Sequence, residues 1–227
     1  WHEHQHLLKV HFPVEVHSDE ATFEIRFGNV KRKTHQNTSW DVARFESCGH
    51  RWVDVSEGGY GVSLLNDCKY GHSVHDGDMA LTLIKSGVEP NKTADQERHF
   101  FTYSLYPHAG TWAEAGTARE AACLNQPVYA VPDAAEGLEY SMFRVGAENL
   151  MADTVKQAED GNGVILRLYE YQNRRGKATV RLSGRIARVA ECDLMENDVA
   201  RLAHGDREFA FEYKPYEIKT FRVIFEP

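Results

Sequence analysis

Residues 8–16 alternate between apolar and polar side chains with a period of two. Successive side chains of a β-strand point to opposite faces of the sheet, so this alternation is typical of a strand with one buried face. The pattern returns at residues 22–27, 79–84 and 100–106. A period of two places the apolar side chains on one face of a strand, but it spreads them around a helix. The alternation therefore predicts a mostly β fold.

Residues 52–71, WVDVSEGGYGVSLLNDCKYG, are interpreted as two short strands that meet at a glycine-rich turn. The second strand ends in a polar cluster, after which glycine permits a sharp turn of the backbone. The cluster consists of Asn66, Asp67, Lys69 and Tyr70. These donors and acceptors suit a hydroxyl-rich ligand, although an ordinary strand-end turn explains them as well.

One helix is predicted at residues 112–126, because this stretch is rich in alanine and a proline follows it. A second, short helix is an alternative for residues 191–203, where asparagine and aspartate weaken the pattern. Further strands are predicted at residues 43–48, 128–131 and 138–145.

Strands become shorter and more evenly spaced in the last third of the chain. They are predicted at residues 163–169, 177–182, 186–189, 209–213 and 218–225. Glycine-containing turns separate most of them, which is typical of a small antiparallel sandwich. We therefore predict two domains. Residues 1–147 form a large, irregular β-sandwich with one short helix, and residues 148–227 form a small antiparallel β-sandwich.

The charge pattern argues against nucleic acid as a partner. The chain has 26 basic and 34 acidic residues, and no basic stripe is interleaved with aromatic residues. No apolar run approaches the roughly 18 to 20 residues that a membrane span needs. The first residues lack the apolar region of a secretory signal. We therefore expect a cytoplasmic protein that binds neither nucleic acid nor a membrane.

Residues that carry chemistry are sparse. His72, His75 and Asp76 have an HxxHD spacing, which brings the two imidazoles together only on a helix. The flanking glycines favour a hairpin loop at residues 71–78, so no metal site is predicted there. The four cysteines are widely spaced without a CxxC pair, and reduced thiols are expected. Motifs of nucleotide-binding proteins, serine hydrolases and zinc proteases are lacking.

Four longer segments occur in a characteristic order. They are FGNVKRKTHQNTSWDVARFESCGHRWVDVSEGGYGVSLLNDCKYG at residues 27–71, ADQERHFFTYSLYPH at 94–108, VILRLYE at 164–170 and KPYEIKTFRV at 214–223. Together they resemble the C-terminal β region of family 38 glycoside hydrolases, the α-mannosidases, in the cytosolic and bacterial branch. Each motif is weak alone, and their order makes the resemblance specific over essentially the whole chain.

The resemblance implies that the complete protein is a retaining exo-α-mannosidase acting on terminal α-linked mannose. In such enzymes a zinc ion binds sugar hydroxyls, an aspartate forms a covalent mannosyl intermediate, and a second carboxylate serves as acid and then base. Those groups belong to an N-terminal catalytic domain and the helical region after it. We therefore expect no catalytic residue and no zinc ligand in this chain, and no activity of the chain alone. Its start in the middle of a strand suggests a piece of a longer polypeptide.

In the family, loops of the first sandwich reach toward the active site. By position, the resemblance implies that the residues nearest the substrate are Asn66, Asp67, Lys69 and Tyr70, followed by Asp95 and Gln96. The Golgi and lysosomal branch carries arginine-rich segments where this chain has NDCKYG and LTLIKSG. Lys69 and Lys85 are the nearest basic counterparts, but an ammonium does not reproduce the fork of a guanidinium. Contacts of that branch therefore do not transfer.

Two functions remain open at this point. The first is the accessory half of an α-mannosidase, whose partners are the N-terminal catalytic domain of the same polypeptide and a mannose-containing oligosaccharide, with a homo-oligomer as an open alternative. The second is a non-catalytic carbohydrate-binding or structural sandwich module. An upstream reading frame with zinc ligands and a nucleophilic aspartate supports the first, and its absence supports the second.

Overall fold

A computed structural model describes residues 1–132 and 139–227 of the chain. The residues divide into two compact units, unit 1 (Trp1–Ala130) and unit 2 (Val131–Pro227). The first residue of the predicted strand 138–145 lies outside the described residues. No helix of the described residues is long and apolar enough to cross a membrane.

Unit 1 consists mainly of antiparallel strands. In chain order its elements are β1 (Leu7–Pro13), β2 (Glu20–Ile25), β3 (Gly28–Lys33), α1 (Ser39–Ala43), β4 (Ser47–Cys48), β5 (Trp52–Ser56), β6 (Tyr60–Asn66), β7 (Gly71–His75), β8 (Asp78–Lys85), β9 (Tyr103–Ala109) and α2 (Thr117–Asn125). One sheet has the strand order β1-β8-β7-β4, and the other has the order β3-β2-β5-β6-β9. The predicted mostly β fold is confirmed.

Apolar side chains of both sheets form one core in unit 1. Val53 and Leu64 contribute from the β5–β6 hairpin, and Met79 and Leu81 contribute from β8; each is at most 1% exposed. Burial of one such side chain stabilises the fold by about 1.5–3 kcal/mol. Strands β5 and β6 form the hairpin that the sequence predicted, and Val53 pairs with Leu64 across it.

Helix α2 covers the outer face of the β5–β6 hairpin. Ala118 and Ala121 of the helix are buried, and the rings of Trp52 and Trp112 lie 4.9 Å apart. The helix begins at Thr117, five residues later than predicted. Gly116, directly before it, has a φ of 71°, a left-handed conformation that interrupts the helical path.

Helix α1 ends at Ala43, the first residue of the strand predicted at residues 43–48. Thr38 and Asp41 form a capping box, in which each side chain bonds to the other residue's backbone N–H. This short-range exchange of hydrogen bonds is enough to start a single helical turn, and only Ser47–Cys48 of the predicted strand form a strand.

Unit 2 is a second antiparallel structure. In chain order its strands are β10 (Phe143–Val145), β11 (Leu150–Gln157), β12 (Val164–Glu170), β13 (Gly176–Leu182), β14 (Ile186–Cys192), β15 (Asp198–Leu202), β16 (Glu208–Tyr213) and β17 (Ile218–Phe225). They form a sheet of order β10-β13-β16 and a sheet of order β11-β12-β17-β14-β15. Phe211 and Phe221 lie at the centre of the core, with ring centroids 4.7 Å apart.

Three local expectations for this part of the chain differ from the structure. Residues 191–203 form the end of β14 and β15, because Asp193 accepts hydrogen bonds from the N–H groups of Met195 and Asn197 and folds the segment into a turn. Residues 128–131 form no strand. Strand β10 pairs with β13, so the division between the compact units precedes the predicted boundary at residue 148.

Candidate functional site

Strand β6 runs into a turn at residues 66–71, the strand-end turn, and Asn66 is its buried anchor. The Nδ2 atom of Asn66 donates to the carbonyl oxygen of His50 at 2.8 Å, and Oδ1 accepts from the N–H of Lys69 at 2.7 Å. The side chain of Asn125 on α2 donates to the Asn66 carbonyl oxygen at 3.0 Å. Asn66 is 0% exposed. Its amide therefore shapes the turn and is not presented to a ligand.

Asp67 ties the strand-end turn to the segment before β9. Its Oδ1 atom accepts from the N–H of Thr102 at 3.0 Å, and its own N–H donates to the Thr102 carbonyl oxygen at 3.1 Å. Burial raises the pKa of the Asp67 carboxyl, but hydrogen bonds from Cys68 and Thr102 lower the pKa further than burial raises it. The partly exposed carboxylate is therefore ionised at neutral pH.

In the strand-end turn, Lys69 is partly exposed and Tyr70 is exposed. The Lys69 Nζ atom lies 5.1 Å from the ring centroid of Phe101, where a cation and an aromatic face attract each other. Tyr70 is 55% exposed, and its ring centroid is 5.3 Å from that of His50. The turn thus presents an ammonium, a phenol and a carboxylate over a buried amide. These groups can donate to and accept from sugar hydroxyls.

Asp95 and Gln96 have different neighbours in unit 1. The Oδ2 atom of Asp95 accepts from the N–H of Lys85 at the end of β8, at 3.2 Å. The side-chain nitrogen of Gln96 lies 2.9 Å from the ring of His4. The structure therefore gathers four of the six candidates in the strand-end turn, and the hydrogen bonds of the other two go to the end of β8 and the N-terminal segment.

The histidines of the HxxHD segment lie on a strand instead of in a loop. Residues 71–75 form β7, where His72 and His75 face opposite sides because their separation is odd. Burial lowers the pKa of His72 to about 4, although a hydrogen bond to the Tyr70 carbonyl opposes this shift. Within residues 1–132 and 139–227, no group of three or more histidine, cysteine, aspartate and glutamate side chains could hold a metal ion.

A buried polar network under α2 is the feature that sequence reasoning missed. Nε2 of His108 lies 2.8 Å from Oδ2 of Asp54 and 3.2 Å from Oγ of Ser63, and Ser63 also bonds to Thr117 at 2.8 Å. Asp54 and Ser63 are polar residues within otherwise apolar strands that are buried on both faces. This interruption of an apolar run is the sequence signal that could have indicated the network. A side chain at Gly61 would collide with the His108 ring.

The network contains serine, histidine and aspartate, but its geometry is not that of a hydrolase. One nitrogen of His108 faces both partners, whereas a catalytic triad uses one ring nitrogen for each. Ser63 is 0% exposed. A nucleophile that no substrate can reach has a structural role, here joining α2 to the β5–β6 hairpin.

Two family models match the chain in sequence. The model described as glycosyl hydrolases family 38 C-terminal domain matches residues 1–93. The model described as glycosyl hydrolases family 38 C-terminal beta sandwich domain matches residues 149–221. Both models describe C-terminal domains of the same family. The first matches the beginning of the chain and the second matches its end.

Curated relatives are similar over the full length of the chain. Alpha-mannosidase 2C1 of Homo sapiens is 40% identical over 234 residues, covering 100% of this chain and 22% of the relative. Alpha-mannosidase G of Dictyostelium discoideum is 36% identical, covering 99% of this chain and 21% of the relative. The chain therefore spans about a fifth of the length of these relatives.

A solved structure has the same fold. An alpha-mannosidase from Enterococcus faecalis V583 superposes with a TM-score of 0.77 at 19% sequence identity, covering 97% of this chain and 26% of that one. The likeness extends over both units and supports their β architecture.

Proposed function

Because this chain belongs to the C-terminal region of glycosyl hydrolase family 38, we propose that it is the C-terminal portion of an α-mannosidase that removes terminal α-linked mannose with retention. The observation that carries the proposal is the full-length similarity to α-mannosidases about four to five times as long, such as the human relative of which the chain covers 22%. The remaining four fifths of such a protein hold the catalytic groups.

In this proposal the chain supports an N-terminal catalytic domain and supplies part of the substrate's surroundings. The retaining reaction needs two carboxylates about 5–5.5 Å apart, which belong to that domain. Zinc is the expected cofactor of the complete enzyme. In this proposal the zinc ligands belong to the N-terminal catalytic domain, and this chain is assigned no part in the chemistry of the zinc ion.

The strand-end turn is the part of the chain proposed to face mannose. Lys69 and Tyr70 are the contacts, because Tyr70 is exposed and Lys69 next to it is partly exposed. Asn66 is a positioning residue, since its amide holds the backbone of Lys69 and the carbonyl of His50. Asp67 completes the set with an ionised carboxylate. Asp95 and Gln96 remain weaker candidates because their hydrogen bonds go elsewhere.

Activity assays on two proteins test this assignment. The complete enzyme is expected to hydrolyse a nitrophenyl α-mannoside and to release the α-anomer first, as proton NMR of the fresh product will record. The chain of residues 1–227 is expected to show no hydrolysis and at most weak mannose binding. Turnover by this chain at the rate of the complete enzyme would refute the proposal that the catalytic groups lie outside it.

Metal removal gives a second test of the same assignment. A chelator is expected to abolish hydrolysis by the complete enzyme and to leave the melting temperature of residues 1–227 unchanged, because the metal ligands belong to the other domain. Loss of stability of residues 1–227 on chelation would place a metal site within this chain and contradict the assignment.

A further inference from the structure

The segment that precedes β9 lies against the strand-end turn. Thr102 exchanges two hydrogen bonds with Asp67: its N–H donates to Oδ1 of Asp67 at 3.0 Å, and its carbonyl oxygen accepts from the Asp67 N–H at 3.1 Å. The next residue back along the chain is Phe101, whose ring centroid lies 5.1 Å from Nζ of Lys69. Two neighbouring residues of this segment therefore contact two members of the turn, one through its backbone and one through its ring.

Other aromatic side chains of unit 1 hold the Phe101 ring. It packs against the hydrophobic core and stacks on Tyr103, with centroids 6.4 Å apart and an interplanar angle of 21°. The ring of Tyr103 makes an edge-to-face contact with that of Phe12 on β1, at 5.8 Å and 62°. Aromatic pairs in these geometries attract each other beyond what their buried area contributes. Phe101 therefore offers Lys69 an aromatic face that is fixed by the fold.

An aromatic partner affects an ammonium differently from a carboxylate. Asp67 is the acidic residue nearest to Lys69 in the chain, and its carboxylate accepts hydrogen bonds from Thr102 and Cys68. An ion pair with a carboxylate offsets the charge of an ammonium and occupies its N–H groups. The face of a ring attracts the same cation but is a weak hydrogen-bond acceptor. The contact with Phe101 therefore places the ammonium and leaves N–H donors of Lys69 available.

Placement matters because a lysine side chain is long and flexible. Holding its ammonium in one geometry costs conformational entropy when a ligand has to impose that geometry. A donor that is already in place before the ligand arrives loses less entropy on binding. Contact with the Phe101 ring restricts the ammonium of Lys69 in this way.

We propose that Phe101 is a positioning residue of the strand-end turn, whose ring holds the Lys69 ammonium where it donates to a sugar hydroxyl. Phe101 acts through Lys69 and not by its own contact with the sugar. This inference rests on the proposed function, because it requires that the turn faces mannose. It extends the site from the turn itself to the segment that precedes β9.

Steady-state kinetics of the complete enzyme toward a nitrophenyl α-mannoside test the inference. Phe101→Leu keeps an apolar side chain but removes the ring, so kcat/KM should fall about two- to fivefold, the size expected for the loss of one cation–π contact. Phe101→Tyr keeps the aromatic face and should keep the wild-type value. The matched control is Phe100→Leu, which removes a neighbouring ring that is 82% exposed and should also leave kcat/KM unchanged.

A double variant separates positioning from a general effect on the fold. In a Lys69→Ala background, Phe101→Leu should cause no further loss of kcat/KM, because the ring has no ammonium left to hold. A further loss of the full size would mean that Phe101 acts independently of Lys69, and would overturn the inference. Wild-type kinetics for Lys69→Ala alone would refute the proposed role of the turn and the inference with it. A loss for Lys69→Ala combined with wild-type kinetics for Phe101→Leu would refute only the inference.

Proton NMR of residues 1–227 measures the contact itself and does not depend on the substrate. The ring current of Phe101 should shift the ε-methylene protons of Lys69 upfield of those of an exposed lysine such as Lys92. Phe101→Leu should abolish this shift, and Phe101→Tyr should keep it. If the Lys69 and Lys92 protons resonate together in the wild type, the ring does not hold the ammonium and the inference is overturned.

Discussion

The two units each place a polar cluster where a strand ends, and the clusters use their groups in opposite ways. In unit 2 the cluster follows β12, and its centre is Glu170, which is 0% exposed. One Glu170 oxygen accepts from Asn149 at 3.0 Å and from the N–H of Gln172 at 2.8 Å, and the other accepts from the N–H of Tyr216 at 2.9 Å. We call this cluster closed, because both carboxyl oxygens of Glu170 accept hydrogen bonds from groups of the chain itself.

The strand-end turn of unit 1 is open by comparison. The neutral amide of Asn66 makes the internal hydrogen bonds of the turn, whereas Tyr70 is exposed and Lys69 is partly exposed. The difference teaches that a polar strand end in the sequence does not itself indicate a binding site. What separates the two clusters is whether the residue turned inward is a carboxyl residue, Glu170 in unit 2, or a neutral amide, Asn66 in unit 1.

The largest expected effect comes from removing the closed cluster. Glu170→Ala should lower the free energy of unfolding by about 4 kcal/mol, since one buried and two partly buried donors each lose a partner. Urea unfolding of residues 1–227 measures the change. Glu208→Ala, which removes an exposed ion pair with Arg181 in the same unit, should change stability by less than about 1 kcal/mol. Equal effects of the two variants would mean that the Glu170 cluster is not structural.

Replacing Asn66, the buried anchor of the strand-end turn, should lower the free energy of unfolding by less than replacing Glu170. Asn66→Ala is expected to cost about 2 kcal/mol, because the His50 carbonyl and the Lys69 N–H lose their side-chain partner. The exposed Asn37 supplies the matched control, and Asn37→Ala should leave the urea midpoint unchanged. If Asn66→Ala were as stable as the wild type, the turn would not depend on its buried amide.

A pH effect should come from the histidine beside the turn. The pKa of His72 is about 4 in the folded chain and ordinarily 6.5, so between these values the unfolded chain binds a proton that the folded chain does not. Stability should therefore fall as pH drops through this window, by about 2 kcal/mol from pH 7 to pH 5. Above pH 6.5 His72 contributes no pH dependence, and below about 4 the loss is complete.

Urea unfolding at both pH values measures this loss, and His72→Gln should show a correspondingly smaller one. NMR titration of the His72 ring in the wild type gives its pKa directly, even if the variant is unstable. A ring that titrates near 6.5 would contradict the assignment to burial.

The features that the sequence predicted are those that depend on neighbouring residues. Alternation and paired glycines predicted the β5–β6 hairpin, and the polar cluster after it predicted the strand-end turn. Contacts between distant segments could not be predicted from the sequence. His108 contacts Asp54, which lies 54 residues away in the chain. The inward direction of the Asn66 side chain depends on its hydrogen bond to the His50 carbonyl. A one-turn helix such as α1 was missed because its signal is a single capping box.

The smallest expected effect on stability, and the most direct test of the open turn, belongs to Lys69. In the complete enzyme, Lys69→Ala removes a partly exposed lysine whose contact with Phe101 contributes about 0.5–1 kcal/mol. The melting temperature should therefore change little. The matched control is Lys92→Ala, which removes an exposed lysine from another loop of unit 1.

The decisive measurement is kcat/KM of Lys69→Ala toward a nitrophenyl α-mannoside, taken together with its melting temperature. If the strand-end turn faces the substrate, kcat/KM should fall by about tenfold, the loss of roughly one charge-assisted hydrogen bond, while Lys92→Ala keeps the wild-type value. Kinetics equal to the wild type for Lys69→Ala would contradict the account and leave the turn with the same purely structural role as the Glu170 cluster.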